Sequence, residues 1–287
     1  MSKVPSVWTV LSMLEWATDF FEEKNVKSPR FSIEWLLSHV LSIKRLDLYL
    51  KYDRPLSSEE LDQLRSMVKR RANHEPLQYI TGETDFHHVK IKVQPGVLIP
   101  RQETEQLLDW ILELYDETNE LKILDVGTGS GCIPIALKNA RPNWSISATD
   151  ISDEALSVAR ENAQYNNVAV EFEKDDLFSP TAFSNNTFDI IISNPPYILE
   201  EEKENLDAEV KNYEPELALF CKSTKEIYGA LENLCQKYLS KKGVAFLELH
   251  ENHAEEAFQI FQKSNWDAFI KKDYSDKPRF LKAERVD

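Results

Sequence analysis

The sequence predicts an α/β protein whose larger part is a doubly wound, mostly parallel seven-stranded sheet, preceded by a small N-terminal helical domain and a β-hairpin linker. Three observations predict it. Apolar residues recur at helical spacing through roughly the first 75 residues, the period then changes to alternation, and after Arg101 apolar strand-like runs alternate with helical stretches. The last pattern is that of parallel strands joined by crossover helices. The expected divisions are 1–78 for the helices, 79–100 for the linker and 101–287 for the sheet domain.

The first helix is read from Val7, Leu11, Leu14 and Phe21, with Val10, Ala17 and Phe20 widening the stripe. Ser28-Pro29 has the form of an N-cap followed by proline at the first helical position, opening a segment that carries Ile33, Leu36, Leu37, Val40 and Leu41. Ser57 with Glu60 forms a capping-box pattern ahead of Leu61, Leu64 and Val68. Val89, Ile91 and Val93 alternate, Gln94-Pro95-Gly96 reads as a turn, and Val97-Leu98-Ile99 follows, which predicts a hairpin. Strand-like runs then fall at 122–126, 146–149, 168–172, 188–193 and 244–249, and two final runs at 268–273 and 279–284 make a hairpin-like end to the sheet. A helix is expected over 153–165, with Ser152 as its cap.

Composition narrows the function classes. The chain has 287 residues, 42% of them hydrophobic, enough for a sizeable core, and no apolar run approaches the roughly 20 residues that span a bilayer. The polar-interrupted N-terminus lacks a small-residue cleavage site, so no signal peptide is expected. Cys132, Cys221 and Cys235 are odd in number and far apart, a pattern of reduced thiols in a cytoplasmic protein. Net charge is −15 and uneven: residues 1–100 hold 14 basic and 13 acidic side chains, the remainder 20 and 36. An acidic catalytic region disfavours a phosphate backbone, so no stable nucleic-acid partner is expected. Lys69, Arg70 and Arg71 form a small basic cluster that reads as a solvated helix face.

Two motifs carry chemistry. Three of the seven glycines fall within five residues, in Gly127-Thr128-Gly129-Ser130-Gly131, after an apolar strand and before a helix. Glycine allows a sharp turn and close approach of a ligand, and ligands of open α/β sheets bind beyond the carboxyl ends of the strands. The dinucleotide fingerprint would need a third glycine at Cys132, so the spacing is a different one, with Asp125 just ahead of it. Asp150 ends the next strand, where an acid can accept hydrogen bonds from ribose hydroxyls. Asp176 and Leu177 follow the third strand and are placed to meet an adenine amino group and ring face. The second motif is Asn194-Pro195-Pro196-Tyr197, after an apolar strand. The asparagine side-chain oxygen and the Pro195 carbonyl can both accept from one NH₂ group, the prolines hold the backbone still, and Tyr197 offers an aromatic face to a planar group. Such a clamp orients an amide or amine nitrogen towards an electrophile.

These residues resemble class I S-adenosylmethionine-dependent methyltransferases that modify amino nitrogens, and more narrowly the PrmC/HemK-type protein-(glutamine-N5) methyltransferases. The narrower resemblance is carried by Ile99-Pro100-Arg101-Gln102-Glu103-Thr104-Glu105, by Tyr213-Glu214-Pro215 with Ala218-Leu219, and by Asp273-Tyr274 with Pro278-Arg279. It implies S-adenosylmethionine as cofactor, with S-adenosylhomocysteine as product, no metal, a cytoplasmic location, and the glutamine of the Gly-Gly-Gln loop of class 1 peptide chain release factors as acceptor. The family's glycine-rich stretch after the Ala-Leu pair is replaced by Phe220–Ile227, and its usual Glu-Ile/His-Gly by Glu248-Leu249-His250-Glu251. A glutamine methyltransferase of a ribosomal protein and an adenine-N6 nucleic-acid methyltransferase share parts of this pattern; a non-enzymatic nucleotide-binding module does not need the Asn194–Tyr197 motif. The six histidines show no helical metal spacing, and packing is the reading for His87-His88. The helical domain is expected either to stabilise the rest or to dock the substrate.

Overall fold

A computed structural model describes residues 7–286. The expectation about a signal peptide concerns the N-terminus, of which residues 1–6 lie outside these. The chain divides into two compact units, one ending at Gly82 that also takes in Asp207–Tyr213, and one made of Glu83–Leu206 with the residues from Glu214 onward. The expected linker is itself divided: 79–82 group with the helices and the hairpin with the sheet.

In the helical unit, α1 (Val10–Glu23) begins at a capping box between Thr9 and Ser12, so its buried stripe is Val10, Met13, Leu14, Ala17 and Phe21, whereas Val7 precedes the helix and is exposed. In α2 (Pro29–Leu41), Pro29 does occupy the first turn, but Ser28 makes no side-chain cap. Its φ is +49°, and capping requires an extended residue whose hydroxyl reaches back over the first amides. A 3₁₀ turn (Arg45–Leu50) leads to α3 (Ser58–Ala72), which carries the expected Ser57–Glu60 box, and to α4 (Leu77–Thr81). Leu14, Phe21, Ile33, Leu36, Leu37, Leu64 and Val68 share one core.

The basic cluster of α3 corrects the expectation of a solvated face. Arg71 is 3% exposed; its guanidinium donates to the Ser32 hydroxyl (3.0 Å), the Glu75 carbonyl (2.9 Å) and the Glu209 carboxylate (2.7 Å). Arg70 pairs with Glu75. Two of the three charges are consumed inside the unit, because a guanidinium fork can satisfy several acceptors at once.

In the second unit, β1 (Glu83–Phe86) pairs antiparallel with β2 (Val89–Lys92). The expected hairpin between 89–93 and 97–99 is therefore one strand too late. His87 and His88 form the two-residue turn, both with positive φ, the geometry that matches hairpin twist. Val97 and Ile99 are buried but not in a strand: the Ile99 amide donates to Glu214 (3.1 Å) instead of a ladder partner. Then follow α5 (Gln102–Leu114), β3 (Lys122–Val126), α6 (Cys132–Ala140), β4 (Ser145–Asp150), α7 (Asp153–Tyr165), β5 (Glu171–Lys174) and β6 (Phe188–Ser193). A short parallel pair, β7 (Ile198–Leu199) with β8 (Phe220–Cys221), is separated along the chain by a 3₁₀ turn, by α8 (Ala208–Tyr213), which groups with the helical unit, and by α9 (Glu216–Leu219). The chain ends with α10 (Thr224–Tyr238), β9 (Leu239–Glu248), α11 (Ala254–Lys263), β10 (Trp266–Lys272) and β11 (Pro278–Arg285).

The sheet order is β10-β11-β9-β6-β3-β4-β5, with β11 antiparallel to both neighbours and the five strands from β9 to β5 parallel. This is the expected doubly wound, mostly parallel seven-stranded sheet. The adjacent β3 and β6 put the glycine loop and the Asn194 motif side by side at the carboxyl edge, where such sheets bind ligands. All three cysteines are free thiols.

Candidate active site

The carboxyl ends of β3, β4 and β6 open into one cavity of about 450 Å³. Its lining includes Gly127, Thr128, Gly129 and Ser130 from the glycine loop, Asp150, Asp176 and Leu177 from the next two strand ends, and Asn194, Pro195 and Pro196. Gly131 and Tyr197 are not on its wall; Gly131 opens α6 and Tyr197 packs against the sheet core.

The loop is a consequence of its glycines. The amides of Gly127 and Thr128 both donate to the Thr149 carbonyl at the end of β4 (2.9 Å each), which folds the chain back over the sheet edge. Gly127 and Gly129 have positive φ, and a Cβ on either would meet nothing within 4 Å, so the backbone stands open on the side a ligand would use. Gly131 serves packing: its Cβ would lie 3.0 Å from the Cβ of Ala159 on α7.

Asp150 braces this loop. One carboxylate oxygen accepts from the Gly129 amide (2.8 Å) and the other from the Ser152 amide (2.9 Å). Burial raises its pKa, and those amide bonds pull it back. Each oxygen keeps a further lone pair for a ribose hydroxyl. Asp176 uses one oxygen on the Phe178 amide (2.9 Å), and Leu177 packs on the core. Asp125, which ends two residues before the loop, is fully buried. Among the described residues neither its carboxylate oxygens nor the Thr128 hydroxyl has a well-aligned partner. Burial pushes the Asp125 carboxyl up to about 7, against a smaller opposing pull from the Thr128 hydroxyl. The unpartnered Thr128 hydroxyl on the cavity wall, beside an open glycine turn, fits a cofactor that brings ammonium and hydroxyl donors, as S-adenosylmethionine does.

Around Asn194 the residues form a connected chain. The Asn194 Nδ2 donates to the Thr104 hydroxyl (3.1 Å), Thr104 donates to Glu248 (2.7 Å), and the Tyr197 hydroxyl donates to the other oxygen of Glu248 (3.0 Å). Glu248 is 1% exposed, and burial raises its pKa while its two hydrogen bonds and Arg279 oppose the rise. Tyr197 thus has its hydroxyl committed to Glu248, and burial raises its pKa well above the ordinary value. A second buried acid, Glu214, holds the Ile99 amide and Arg101 (2.5 Å), fixing the wall of the cavity at Pro100 and Arg101. The sequence motifs give Glu248 no role, although it closes an apolar strand as Asp150 does; Asp125, one residue before the end of β3, likewise has none.

Among the described residues one group has metal-ligand spacing: Glu202, His250 and His253, whose ligand atoms lie within 4.8 Å of one another. The His250 imidazole sits 3.4 Å from Glu202, and burial lowers its pKa. It lies apart from the cavity lining and the chemistry described below has no use for it.

Comparison with known proteins agrees with this layout. A family model described as the PrmC N-terminal domain matches residues 12–82, and one described as the methyltransferase small domain matches residues 89–211. A release factor glutamine methyltransferase from Chlorobaculum tepidum is 40% identical over 285 residues, covering 96% of this chain and 97% of that protein. One from Geobacter sulfurreducens is 36% identical over 275 residues, covering 95% of each. Among solved structures, a methyltransferase from Pyrococcus furiosus has the same fold at a TM-score of 0.53 and 19% identity, over 69% of this chain and 90% of that one. A ribosomal protein L11 methylase from Lactobacillus delbrueckii subsp. bulgaricus does so at 0.50 and 24%, over 69% and 86%. With 40% identity sustained over nearly the whole of both chains, on a sheet that carries the glycine loop and the Asn194 motif at one edge, the chain belongs to the release factor glutamine methyltransferase family.

Proposed function

We propose that the chain transfers a methyl group from S-adenosylmethionine to the side-chain amide nitrogen (N5) of the glutamine in the Gly-Gly-Gln loop of class 1 peptide chain release factors. One observation carries the reading. Asn194, Pro195 and Pro196 line the same cavity as Gly127–Ser130 and Asp150, so a clamp for a planar NH₂ group faces a nucleotide-type site. The relatives named above supply the substrate class.

When bound, S-adenosylmethionine supplies a methyl on a sulfonium, an electrophile that needs no activation by a metal. The glycine loop and Asp150 would hold the nucleoside end, Asp176 and Leu177 would border the adenine, and the Thr128 hydroxyl, on the cavity wall, would meet the amino-acid end. The harder task is the nucleophile, because an amide nitrogen shares its lone pair with its carbonyl. Asn194 Oδ1 and the Pro195 carbonyl accept the two N–H groups and stabilise the positive charge that builds on nitrogen. Placing reactants in line and excluding water contributes up to ~7–11 kcal/mol in favourable systems. No side chain is required as a general base; the proton leaves to water after transfer.

The helical unit is the substrate-docking part in this reading, since a short glycine-rich loop offers little surface for affinity. A reaction on release factors would take place in the cytoplasm. Among the described residues no helix is long and apolar enough to cross a membrane. The test is incubation with methyl-labelled cofactor and purified release factor, its Gln→Ala loop variant, or DNA. Label on the release factor alone is the expected result; equal label on both release factors, or label on DNA, contradicts it.

A further inference from the structure

We infer that Thr104 and Glu248 are positioning residues that determine which end of the Asn194 side-chain amide faces the accepting nitrogen. The inference rests on the function proposed above, and deepens it. Thr104 and Glu248 are 2% and 1% exposed, on α5 and at the end of β9.

The direction of the hydrogen bonds does the work. A threonine hydroxyl has one proton. Thr104 gives it to Glu248 at 2.7 Å, so towards Asn194 its oxygen is an acceptor only. The end of Asn194 that can meet it is the NH₂ group, at 3.1 Å. Oδ1 is thereby kept as the free end, an acceptor for an incoming N–H. An amide turned the other way would offer N–H to a substrate N–H and repel it. Glu248 enforces the sense of the chain because it accepts at both oxygens, from Thr104 and from Tyr197 (3.0 Å). In the carboxylate form both oxygens are acceptors only, so neither has a proton to give Thr104. Glu103 from α5, Tyr228 from α10 and Arg279 from β11 also act on it; the Tyr228 hydroxyl donates to its main-chain carbonyl (3.0 Å). Tyr197 and Asn194, three residues apart after β6, are thus both indexed to one buried carboxylate.

Glu248→Gln tests the sense of the chain with little change of shape. A glutamine NH₂ directed at Thr104 would turn the threonine proton towards Asn194 and invert the amide. Thr104→Val removes the relay, and Thr104→Ser restores the hydroxyl. Turnover on the release factor should fall about 100-fold in Glu248→Gln and Thr104→Val, the size of effect seen when one oriented group at a reacting centre is lost. Thr104→Ser should recover most of the rate. Affinity for S-adenosylmethionine by calorimetry should stay within about twofold of wild type, since the relay does not touch the glycine loop. A second readout needs no substrate: with asparagine-labelled protein, the Asn194 side-chain N–H pair, identified by its absence in Asn194→Asp, should exchange slowly in wild type and Thr104→Ser and rapidly in Thr104→Val. Variants that turn over within twofold of wild type would overturn the inference. So would an unchanged Asn194 N–H pair in Thr104→Val, or a rate loss that only tracks lost cofactor binding and thermal stability. Wild type that labels no release factor would sink the proposed substrate, while the exchange measurement still decides the relay.

Discussion

Gly129 and Gly131 lie two residues apart, both with positive φ, and the structure predicts opposite failures for them. Alanine at either place pays the left-handed penalty of roughly 1–2 kcal/mol. At Gly129 the new methyl meets nothing within 4 Å and projects from a residue that lines the cavity. At Gly131 it comes to 3.0 Å from the Cβ of Ala159, 3.1 Å from Cδ1 of Ile135 and 3.2 Å from the Cα of Ala159. The last is backbone of α7 and cannot swing aside, so overpacking adds about 1–3 kcal/mol. Gly131→Ala should therefore lose about 2–5 kcal/mol of stability in urea unfolding, and Gly129→Ala only about 1–2. Calorimetry should show the reverse order for S-adenosylmethionine, with Gly129→Ala losing affinity by an order of magnitude or more and folded Gly131→Ala much less. Equal stability losses, or a larger one for Gly129→Ala, would refute the division of the loop into an open half and a packed half.

Further outcomes follow from other sites. Asp125→Asn should change how stability depends on pH: the folded carboxyl is raised from 3.8 to about 7, so without cofactor the wild type loses stability as pH climbs through that window, by ~4 kcal/mol at most, and thermal melts of the asparagine variant should lack that decline. Arg71→Met should cost about 2–4 kcal/mol by denaturant unfolding, because it strands the partly covered Glu209 and three other acceptors; a cost under 0.5 kcal/mol would mean that Arg71 is a surface charge after all. Asp150→Ala should weaken cofactor binding by roughly 10- to 150-fold, a loss of ~1.5–3 kcal/mol, through both the ribose hydroxyls and the released Gly129 amide; unchanged affinity would remove it from the site.

The parts of the fold that were legible in the sequence are strands whose burial leaves a continuous apolar run and a helix with a clear cap and apolar stripe. Lys122–Val126, Phe188–Ser193 and the capped helix Asp153–Tyr165 stand at the expected residues. Edges and turns were harder to read. The strand expected over 168–172 lies at 171–174, because β5 is the outermost strand and its register comes from pairing with β4 at Glu171 and Ser147. The hairpin turn is made by two histidines, which carry none of the usual glycine or asparagine signal. Gln94-Pro95-Gly96 carries that signal and turns the chain into an irregular segment held by Glu214. The strand β9 starts at Leu239, five residues before the expected Val244, since Ser240–Gly243 has the composition of a loop. For the site, the cofactor side was readable as a local motif. The substrate side was readable only as far as Asn194: its partner Thr104 lies 90 positions away on α5, and Glu248, which accepts from Thr104, lies a further 144 along the chain at the end of β9. Arg71 looked like one charge in a basic run, and its acceptors lie 39 and 138 positions distant.

On this reading the cavity methylates one side-chain amide nitrogen. Tandem mass spectrometry of release factor treated with the enzyme and S-adenosylmethionine tests it most directly, with Asn194→Ala in parallel. A single methyl on the side-chain nitrogen of the Gly-Gly-Gln glutamine, lost in Asn194→Ala although that variant still binds cofactor, is the predicted result. A methyl on any other residue, or equal methylation by Asn194→Ala, would mean that the Asn194 clamp does not present the glutamine amide.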